Sequence, residues 1–468
     1  MPIALLIVVF ALHLPAFVDR VLNNDEAYIA TVADVLGHGG RLYVDTVDRK
    51  PPGVFYLYHW LFEITGSRAL WIPRMLGVVA HTATAVLVWA FARRRFDERA
   101  AMLTGLLAAF ASVTVTPNDA RSAVFEVFMM PFLVAAMLLA DRRQPFTAGL
   151  AIGVATMMKQ TAAVTLLPLT FVLWRRREQR WSGSSLLALG AVLPVAACAL
   201  IFDADRFWFW VFGAANGAYL DLGPGGIGIV LDRFVSMTAS MVGLNVGLLF
   251  LAAVAVRSWR TDLDLWLWLL SASIGVASGA RFFGHYYWQL MPPLCLLAGR
   301  GLSFVSRRTG AAAVSIAGAT AVATVVAAVA FGLGGASRDY EPLADYARAH
   351  TTPTDRIFVW GHEPSVFWAA DRLPASRIIT TGFLTGHSAV RPKNSDGIDK
   401  AVPGIWDDVM ADLAEHPPVL FFNTQPDDRS AGADYPIKDY APIQAFLTAH
   451  YEQVDFIDGT TVYRLVEP

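Results

Sequence analysis

Long apolar segments, separated by short loops that carry arginine, run through the first 335 residues of this sequence. A helix needs about 20 apolar residues to cross a hydrocarbon core roughly 30 Å thick, and eleven segments meet or approach that length. The predicted spans cover residues 2–18, 73–92, 100–116, 121–140, 146–174 (two spans divided at Lys159), 184–202, 235–256, 263–280, 286–304 and 311–333. With 55% hydrophobic and only 16% charged residues, the chain is too apolar for an ordinary soluble protein. The sequence therefore predicts a polytopic α-helical membrane protein.

The arginines fall in alternate loops, after the even-numbered spans. They are Arg93, Arg94, Arg95, Arg99, Arg142, Arg143, Arg175, Arg176, Arg177, Arg180, Arg257, Arg260, Arg307 and Arg308. Short basic loops stay on the cytoplasmic side of a membrane, so we expect a multi-pass protein of the cytoplasmic (inner) membrane whose remaining loops are extracytoplasmic. Because basic loops flank the run 146–174 on both sides, that run must cross the membrane twice.

The first outer loop, residues 19–72, is the most polar part of the membrane region. It holds Asp25, Glu26, Asp48, Arg49 and Lys50, followed by the rigid pair Pro51-Pro52. Carboxylates and cations in this position suit a reaction in which a carboxylate takes a proton from a hydroxyl while a cation stabilises a departing phosphate. Charged residues also gather at the ends of membrane helices simply because water is there, so for each single residue that structural interpretation stays open.

Further polar residues are predicted on the same outer side. They are Asp119, Glu126 in the fourth span, Lys159 at the end of the fifth, and Arg281, His285 and Tyr286 in the turn before the tenth. Ionisable side chains inside a membrane are expensive and are by default candidates for function. The three cations Lys50, Lys159 and Arg281 fall at a similar depth, as the binding of a lipid-linked phosphate would require.

Two segments outside the predicted spans have distinct compositions. The outer loop 203–234 is rich in aromatic residues and glycine, and it fits an aromatic belt at headgroup level or a lid over a lipid equally well. Residues 336–468 are normally charged, with strand-like runs at 356–361, 375–379 and 418–423, helical patterns at 406–416 and 442–454, and a closing hairpin at 456–465. They predict a small extracytoplasmic α/β domain after a membrane domain of residues 1–335.

Several partner and cofactor classes are not expected. Cys198 and Cys295 both lie within apolar runs, so neither a disulfide framework nor a zinc spacing exists. No glycine-rich phosphate motif follows a predicted strand, and the net charge of −2 makes nucleic acid an unlikely partner.

The candidate residues form an ordered series of motifs. NDEAY, LYVDTVDRKPPG, an acidic residue at the start of the fourth span, MKQTA and RFFGHYYWQLMPPLCLLAGRGL follow one another, and RIFVWGHEP lies in the C-terminal segment. This series resembles the bacterial lipid-linked-sugar glycosyltransferases, a superfamily that includes protein O-mannosyltransferases and aminoarabinose transferases. The resemblance covers nearly the whole chain.

The resemblance implies a C-type glycosyltransferase fold of about eleven transmembrane helices, an extracytoplasmic active site and an inverting transfer from a polyprenyl-phosphate sugar. In the family's pattern Asp25, with Glu26 beside it, is the general base. Lys50 and Lys159 contact the donor phosphate, and we add Arg281 to them. The remaining candidates, on the acceptor side or in support of the site, are Asp48, Arg49, Asp119, Glu126, His285 and Tyr286.

The family's metal is not expected here. Some relatives carry a glutamate directly before Lys-Pro-Pro and use it near a metal, whereas this chain has Arg49 there and Asp48 one place earlier. A divalent-metal site is therefore doubtful, and no other cofactor is predicted.

The sequence leaves more than one function class open. Besides transfer to a lipid, polysaccharide or protein acceptor, intramembrane charges suit a transporter or flippase of a lipid-linked sugar. A non-catalytic scaffold that presents the C-terminal domain would leave Asp25, Lys50 and Lys159 without a role.

Overall fold

The computed structural model describes residues 1–116, 119–176, 178, 180–223, 225–332, 340–392, 395–425 and 434–466. Its helices before residue 333 are α1 Pro2–His13, α2 Asn24–Gly37, α3 Gly53–Thr65, α4 Trp71–Ala92, α5 Glu98–Ala111, α6 Phe125–Asp141, α7 Pro145–Met158, α8 Leu166–Trp174, α9 Arg180–Ile201, α10 Ala204–Val211, α11 Ala215–Leu220, α12 Gly226–Leu244, α13 Val246–Val254, α14 Leu263–Ala277, α15 Met291–Gly301 and α16 Arg307–Phe331. The region before residue 333 is therefore helical, as predicted.

Four of these helices, α4, α9, α12 and α16, are long and apolar enough to cross a membrane. Shorter apolar helices occupy other predicted spans, among them α7, α13 and α14. A multi-pass membrane protein accounts for this arrangement, because helices satisfy their own backbone hydrogen bonds in lipid. The count of eleven crossings stays a prediction.

The run 146–174 is divided at Lys159. Helix α7 ends at Met158, Lys159 is extended (φ −154°, ψ 128°), and a 3₁₀ segment, Gln160–Thr165, leads into α8. At the far end of α8, Arg176 donates hydrogen bonds to the carbonyls of Ala140 at 3.1 Å and Asp141 at 3.0 Å, just before α7 begins. The chain therefore returns to the level at which it started, as two crossings require.

Ion pairs gather the basic loops at one end of the helices. Arg95 binds Asp141 at 3.0 Å and Asp264 at 2.7 Å, and Arg300 binds Asp262 at 2.7 Å. These contacts join the loops after α4 and α6 to the start of α14 and the last turn of α15. We call this the arginine end.

The predicted span 235–256 begins earlier and is broken. Helix α12 starts at Gly226, and Asn245 separates it from α13. The buried Asn245 amide donates to the Thr114 carbonyl at 2.8 Å and accepts from the Thr114 hydroxyl at 2.6 Å. The same Asn245 side chain donates to the Met241 carbonyl of α12 at 2.9 Å, and a side chain that inserts into the hydrogen-bond ladder of a helix is a recognised cause of such a break. Sequence hydropathy does not reveal it.

The C-terminal domain is a four-stranded sheet with helices. It contains α17 Tyr340–His350, β1 Ile357–Trp360, α18 Pro364–Ala370, α19 Gly382–Thr385, α20 Ile405–Glu415, β2 Leu420–Asn423, α21 Ala441–His450, β3 Tyr451–Ile457 and β4 Thr460–Leu465. The strand order is β1-β2-β4-β3, with β1 and β2 parallel and the other pairs antiparallel. The predicted boundary at 335/336 lies outside the described residues.

One prediction for this domain was wrong, and the end of another was misplaced. Residues 375–379 form no strand, because beyond the isolated bridge between Ile357 and Pro374 the chain leaves the edge of the sheet. The predicted helix 442–454 ends at His450, and residues from Tyr451 onward pair with β4 instead. Pairing with a strand outweighs the helical pattern there.

The C-terminal domain docks on the first outer loop. Asn24 donates to the His362 carbonyl at 3.1 Å, the Trp368 indole donates to the Arg68 carbonyl at 3.0 Å, and the Val47 amide donates to the Arg377 carbonyl at 3.0 Å. Helix α18 packs directly on α2. The domain therefore forms a roof over the start of α2.

Candidate active site

A cavity of about 1050 Å³ lies between the first outer loop, the ends of α6 and α7, the turn before α15 and the C-terminal domain. Nine of the predicted site residues line it, namely Asp25, Arg49, Lys50, Asp119, Glu126, Lys159, Arg281, His285 and Tyr286. Glu26 and Asp48 are not among its lining residues. Residues up to 261 positions apart in sequence therefore meet in one chamber.

Asp25 reaches the cavity from the first turn of α2. Asn23 is the N-cap of this helix, and its side-chain oxygen accepts the amide N–H of Asp25 at 2.7 Å. The side-chain amide nitrogen of Asn23 donates to the Asp119 carboxylate at 3.0 Å. One asparagine thus holds two acidic residues of the cavity in fixed relation.

Glu26 points away from the cavity and into the protein. It is completely buried, binds Arg74 at 2.8 Å and accepts the amide N–H of Ala123 at 2.7 Å. Successive residues of a helix point about 100° apart, so Asp25 and Glu26 cannot both face the same chamber. Glu26 joins α2 to α4 and to the segment before α6.

Asp48 shapes the turn that presents Lys50. Its carboxylate accepts the amide N–H of Lys50 at 2.7 Å and lies 3.6 Å from the Lys50 ammonium. The Tyr43 hydroxyl donates to the Lys50 carbonyl at 2.9 Å. The ammonium lies 4.9 Å from the centre of the Phe125 ring at the start of α6, so the lysine is directed towards the membrane helices.

The loops that carry Lys50 and Lys159 are in contact. The Gln160 side chain donates to the Arg49 carbonyl at 3.1 Å. Gly53 sits so close to the end of α7 that a Cβ there would lie 2.6 Å from the Met157 carbonyl oxygen. Only glycine permits this approach, and the two lysines therefore share one wall of the cavity.

A buried polar cluster surrounds Lys159. Its ammonium contacts the Glu126 carboxylate and lies 3.8 Å from the centre of the Tyr286 ring. His285 lies 3.8 Å from Glu126 through Nε2 and 3.2 Å from Asp119 through Nδ1. Charges at this depth are stable only when they are paired.

The surroundings of Asp119 in this cluster act on the pKa of its carboxyl group. Burial alone would raise its pKa, but the charge of His285 and hydrogen bonds from His285 and Thr116 outweigh burial and lower the pKa below its ordinary value. The Thr116 hydroxyl donates to Asp119 at 2.7 Å. Gly284 makes room for both residues, because a Cβ there would lie 1.8 Å from the Thr116 hydroxyl oxygen.

Arg281 is fully buried and lines the cavity between two residues with unusual backbone angles. Ala280 and Phe282 have φ values of 53° and 48°. Left-handed conformations of this kind cost of the order of 1–3 kcal/mol and persist at functional sites where the surroundings impose them.

The C-terminal domain contributes residues that were not predicted. His362, Thr380, Phe383, His387, Ser388 and Tyr435 all line the cavity. His362 belongs to the RIFVWGHEP segment, which was noted only as part of the resemblance. Nothing in the sequence around His387 or Tyr435 indicates that the domain folds back over the membrane site.

Metal ligands are not grouped in the described residues. No cluster of three or more His, Cys, Asp or Glu side chains has the geometry to hold an ion within those ranges. Asp119 contacts His285, and Glu126 contacts both His285 and Lys159.

The chain is similar to known proteins both in sequence and in fold. The model of the family described as dolichyl-phosphate-mannose-protein mannosyltransferase matches residues 49–202. None of the curated proteins matches the chain. Among solved structures, ArnT from Cupriavidus metallidurans bound to undecaprenyl phosphate superposes with a TM-score of 0.67 at 15% identity, covering 99% of this chain and 97% of ArnT.

Two further solved structures share the architecture. The oligosaccharyltransferase of Archaeoglobus fulgidus in complex with Zn and sulfate has a TM-score of 0.58 at 14% identity, with 99% of this chain and 73% of that one covered. The arabinofuranosyltransferase AftD from Mycobacteria has a TM-score of 0.53 at 12% identity, with 100% of this chain but only 39% of AftD covered. The predicted resemblance is confirmed: the chain has the C-type glycosyltransferase fold, and its residues 49–202 match a family model of the superfamily of lipid-linked-sugar glycosyltransferases.

Proposed function

We propose that the protein is an inverting glycosyltransferase that moves a monosaccharide from a polyprenyl-phosphate donor to an acceptor hydroxyl. The reaction takes place in the cavity, at the outer face of the cytoplasmic membrane. The observation that carries this proposal is that one chamber contains a half-buried carboxylate, Asp25, together with the cations Lys50, Lys159 and Arg281.

The cations bind the donor phosphate. Lys50 and Lys159 share one wall, and Arg281 lies at the turn before α15. A sugar phosphate ester is already activated, so its cleavage needs neutralisation of the charge that develops on the phosphate. Three buried or half-buried cations supply that neutralisation.

Asp25 is the general base. It takes the proton of the acceptor hydroxyl while the oxygen attacks the anomeric carbon opposite the phosphate. The new bond joins the acceptor oxygen to that carbon, and the electron pair of the broken bond leaves on the phosphate oxygen. The configuration is inverted in one step. Glu26 is not a second base in this scheme, because Arg74 and Ala123 occupy its carboxylate.

The lipid chain enters along an apolar wall. Val211, Phe212, Leu220, Met237 and Phe282 line the side of the cavity formed by α10 to α12 and the turn before α15. Helix α12 itself is largely exposed along its length, as expected of a helix that faces lipid. A polyprenyl tail can therefore remain in the membrane while its phosphate reaches the cations.

The Asp25→Asn variant tests this proposal. General base catalysis typically contributes about 10²- to 10⁴-fold, so we expect loss of turnover of that size in purified protein with a polyprenyl-phosphate sugar. Binding of undecaprenyl phosphate should be unchanged in Asp25→Asn and weakened in Lys50→Ala. Exposed Glu63→Gln serves as the control.

Three outcomes would overturn the proposal. Near-normal turnover of Asp25→Asn removes this residue from the mechanism. An affinity for undecaprenyl phosphate that is the same in Lys50→Ala as in the wild type rules out the proposed phosphate site. Movement of a labelled lipid-linked sugar across liposomes without sugar transfer identifies a flippase instead.

A further inference from the structure

Helix α3 meets the ends of three membrane helices. At its start, a Cβ on Gly53 would lie 2.6 Å from the Met157 carbonyl oxygen at the end of α7. Further along, the Tyr58 hydroxyl donates to the Ala123 carbonyl at 2.7 Å, just before α6. Only five residues join the end of α3 to Trp71, where α4 begins. All three helix ends lie opposite the arginine end, because α4 and α6 end there and α7 begins there.

Helix α3 therefore runs across these helix ends at one level. Its 13 residues give a length of about 20 Å, which is less than the roughly 30 Å of hydrocarbon that a spanning helix must cross. Its start, its middle and its end are each held at the same level. In a protein whose α4 is long and apolar enough to cross a membrane, a helix held in this way lies at the membrane surface.

Three faces run along α3, because successive residues of a helix point about 100° apart. The buried face consists of Val54, Phe55, Tyr58 and Phe62. The polar face consists of Tyr56, His59 and Glu63. The third, which we call the open face, consists of Leu57, Trp60, Leu61 and Ile64. This open face is apolar, although the fold does not bury it.

The open face is directed towards the membrane helices. Gly53, Leu57, Trp60 and Ile64 follow one another at helical spacing, so they lie on one side of α3. At Gly53 the end of α7 covers this side. Further along, the same side is open, with Trp60 58% exposed and Ile64 80% exposed. The open face therefore continues the surface that α7 covers at its start.

Helix α2 lies on the other side of α3. The Tyr28 ring of α2 is 6.5 Å from the Phe55 ring, and a Cβ on Gly37, at the end of α2, would lie 3.4 Å from a Glu63 carboxylate oxygen. Helix α2 therefore borders the buried and polar faces. It also carries α18 of the C-terminal domain. The open face is thus turned away from the helix on which that domain docks.

Exposed tryptophans mark this part of the surface. Besides Trp60, Trp71 at the start of α4 is 54% exposed. Tryptophan is enriched at membrane–water interfaces, because its large ring is apolar and its indole N–H is polar. A helix that does not cross the membrane, with one apolar and one polar face, is typical of helices that lie in the headgroup layer.

We propose that the open face of α3 rests on the outer leaflet of the membrane, that lipid is its partner, and that this contact sets the depth of Lys50. Lys50 precedes α3 by only the rigid pair Pro51-Pro52. A polyprenyl phosphate whose tail stays in the bilayer has its phosphate at headgroup level, where α3 holds the lysine. The contact with lipid is independent of the proposed glycosyl transfer, whereas the role of Lys50 rests on it.

Spin labels on the full-length protein test the contact with lipid. The labels are attached to Trp60→Cys, Ile64→Cys and Glu63→Cys, each in a chain whose Cys198 and Cys295 are replaced by alanine. The protein is placed in vesicles of phosphatidylethanolamine and phosphatidylglycerol. We expect labels at positions 60 and 64 to collide more with oxygen, which dissolves in lipid, than with a water-soluble nickel chelate. The label at position 63, on the polar face, should show the reverse.

The double variant Trp60→Ser/Ile64→Ser tests the role in donor binding. Both side chains are exposed, so thermal stability in detergent should match that of the wild type. In vesicles the affinity for undecaprenyl phosphate should fall about 3- to 10-fold, because part of the lost apolar contact with lipid is felt at Lys50. Trp181→Ser is the matched control, since Trp181 is also exposed but lies in the first turn of α9, near the arginine end.

Three results would overturn the inference. Labels at positions 60 and 64 that collide with the nickel chelate as often as the label at position 63 place the open face in water. Labels that collide with neither reagent show that protein, such as a second copy of this chain, covers the face. An affinity of the double variant equal to that of Trp181→Ser removes the role in setting the depth of Lys50. Failure of the donor proposal differs, because Lys50→Ala then leaves the affinity unchanged while positions 60 and 64 remain in lipid.

Discussion

The ammonium of Lys159 contacts the carboxylate of Glu126 inside the cavity, where the side chain of Lys159 is 8% exposed and that of Glu126 is 1% exposed. The lysine proposed to bind a phosphate is thus paired with an internal anion. Two functions can explain such a pair. Either it only stabilises the fold, or the lysine exchanges Glu126 for the donor phosphate during binding.

Lys159→Met, Glu126→Gln and the double variant separate these functions. Each single change removes the main partner of a buried charge and should lower the free energy of unfolding by about 3–5 kcal/mol. The double variant should recover most of that loss, because neither charge remains. If Lys159 binds phosphate, the affinity of the double variant for undecaprenyl phosphate will remain below that of the wild type, as measured by titration in detergent. A double variant that recovers both stability and binding would show that the pair is structural only.

Glu26 and Arg74 offer a second test, because they are adjacent to the proposed base but outside the cavity. Their side chains are 0% and 1% exposed, so Glu26→Gln should destabilise the protein by about 3–5 kcal/mol. Asp25→Asn should leave stability nearly unchanged and abolish turnover. Thermal unfolding and turnover, measured for both variants, distinguish the roles. A stable Glu26→Gln protein that is as inactive as Asp25→Asn would show that Glu26 has a catalytic role.

Gly284→Ala should disrupt the cluster around Asp119. The added Cβ would lie 1.8 Å from the Thr116 hydroxyl oxygen and 2.7 Å from an Asp119 carboxylate oxygen. The turn must move, and His285 moves with it. We therefore expect the free energy of unfolding to fall by about 1–3 kcal/mol. The binding free energy of the donor should fall by more than the free energy of unfolding. Gly228→Ala in α12 is the control, because a Cβ there meets nothing within 4 Å. Equal behaviour of the two variants would contradict the prediction.

The sequence predicted the class of fold because hydropathy and arginine placement are local signals. The break at Lys159 followed from basic loops on both flanks, and the structure has α7 end at Met158. The break at Asn245 did not follow, since it depends on the hydrogen bonds of one side chain to Met241 and to Thr114, which is more than 100 residues away. The strands at Ile357–Trp360 and Leu420–Asn423 were predicted from their apolar runs.

The composition of the site was predicted in part. The sequence pointed to Asp25, Lys50 and Lys159 because polar residues beside a membrane stand out, and all three line the cavity. It did not separate Asp25 from Glu26, because the helical phase of α2 decides which side chain faces the chamber. It did not reveal His387, because the position of the C-terminal domain depends on long-range contacts such as that of Asn24 with His362.

The hydrogen bond from Gln160 to the Arg49 carbonyl joins the two lysine-bearing loops within the fold itself. The ordering of these loops is therefore completed once, when the chain folds, and need not be repeated at every catalytic cycle. In the proposed transfer, a donor that arrives from the bilayer would meet two lysines that the fold already holds on one wall of the cavity.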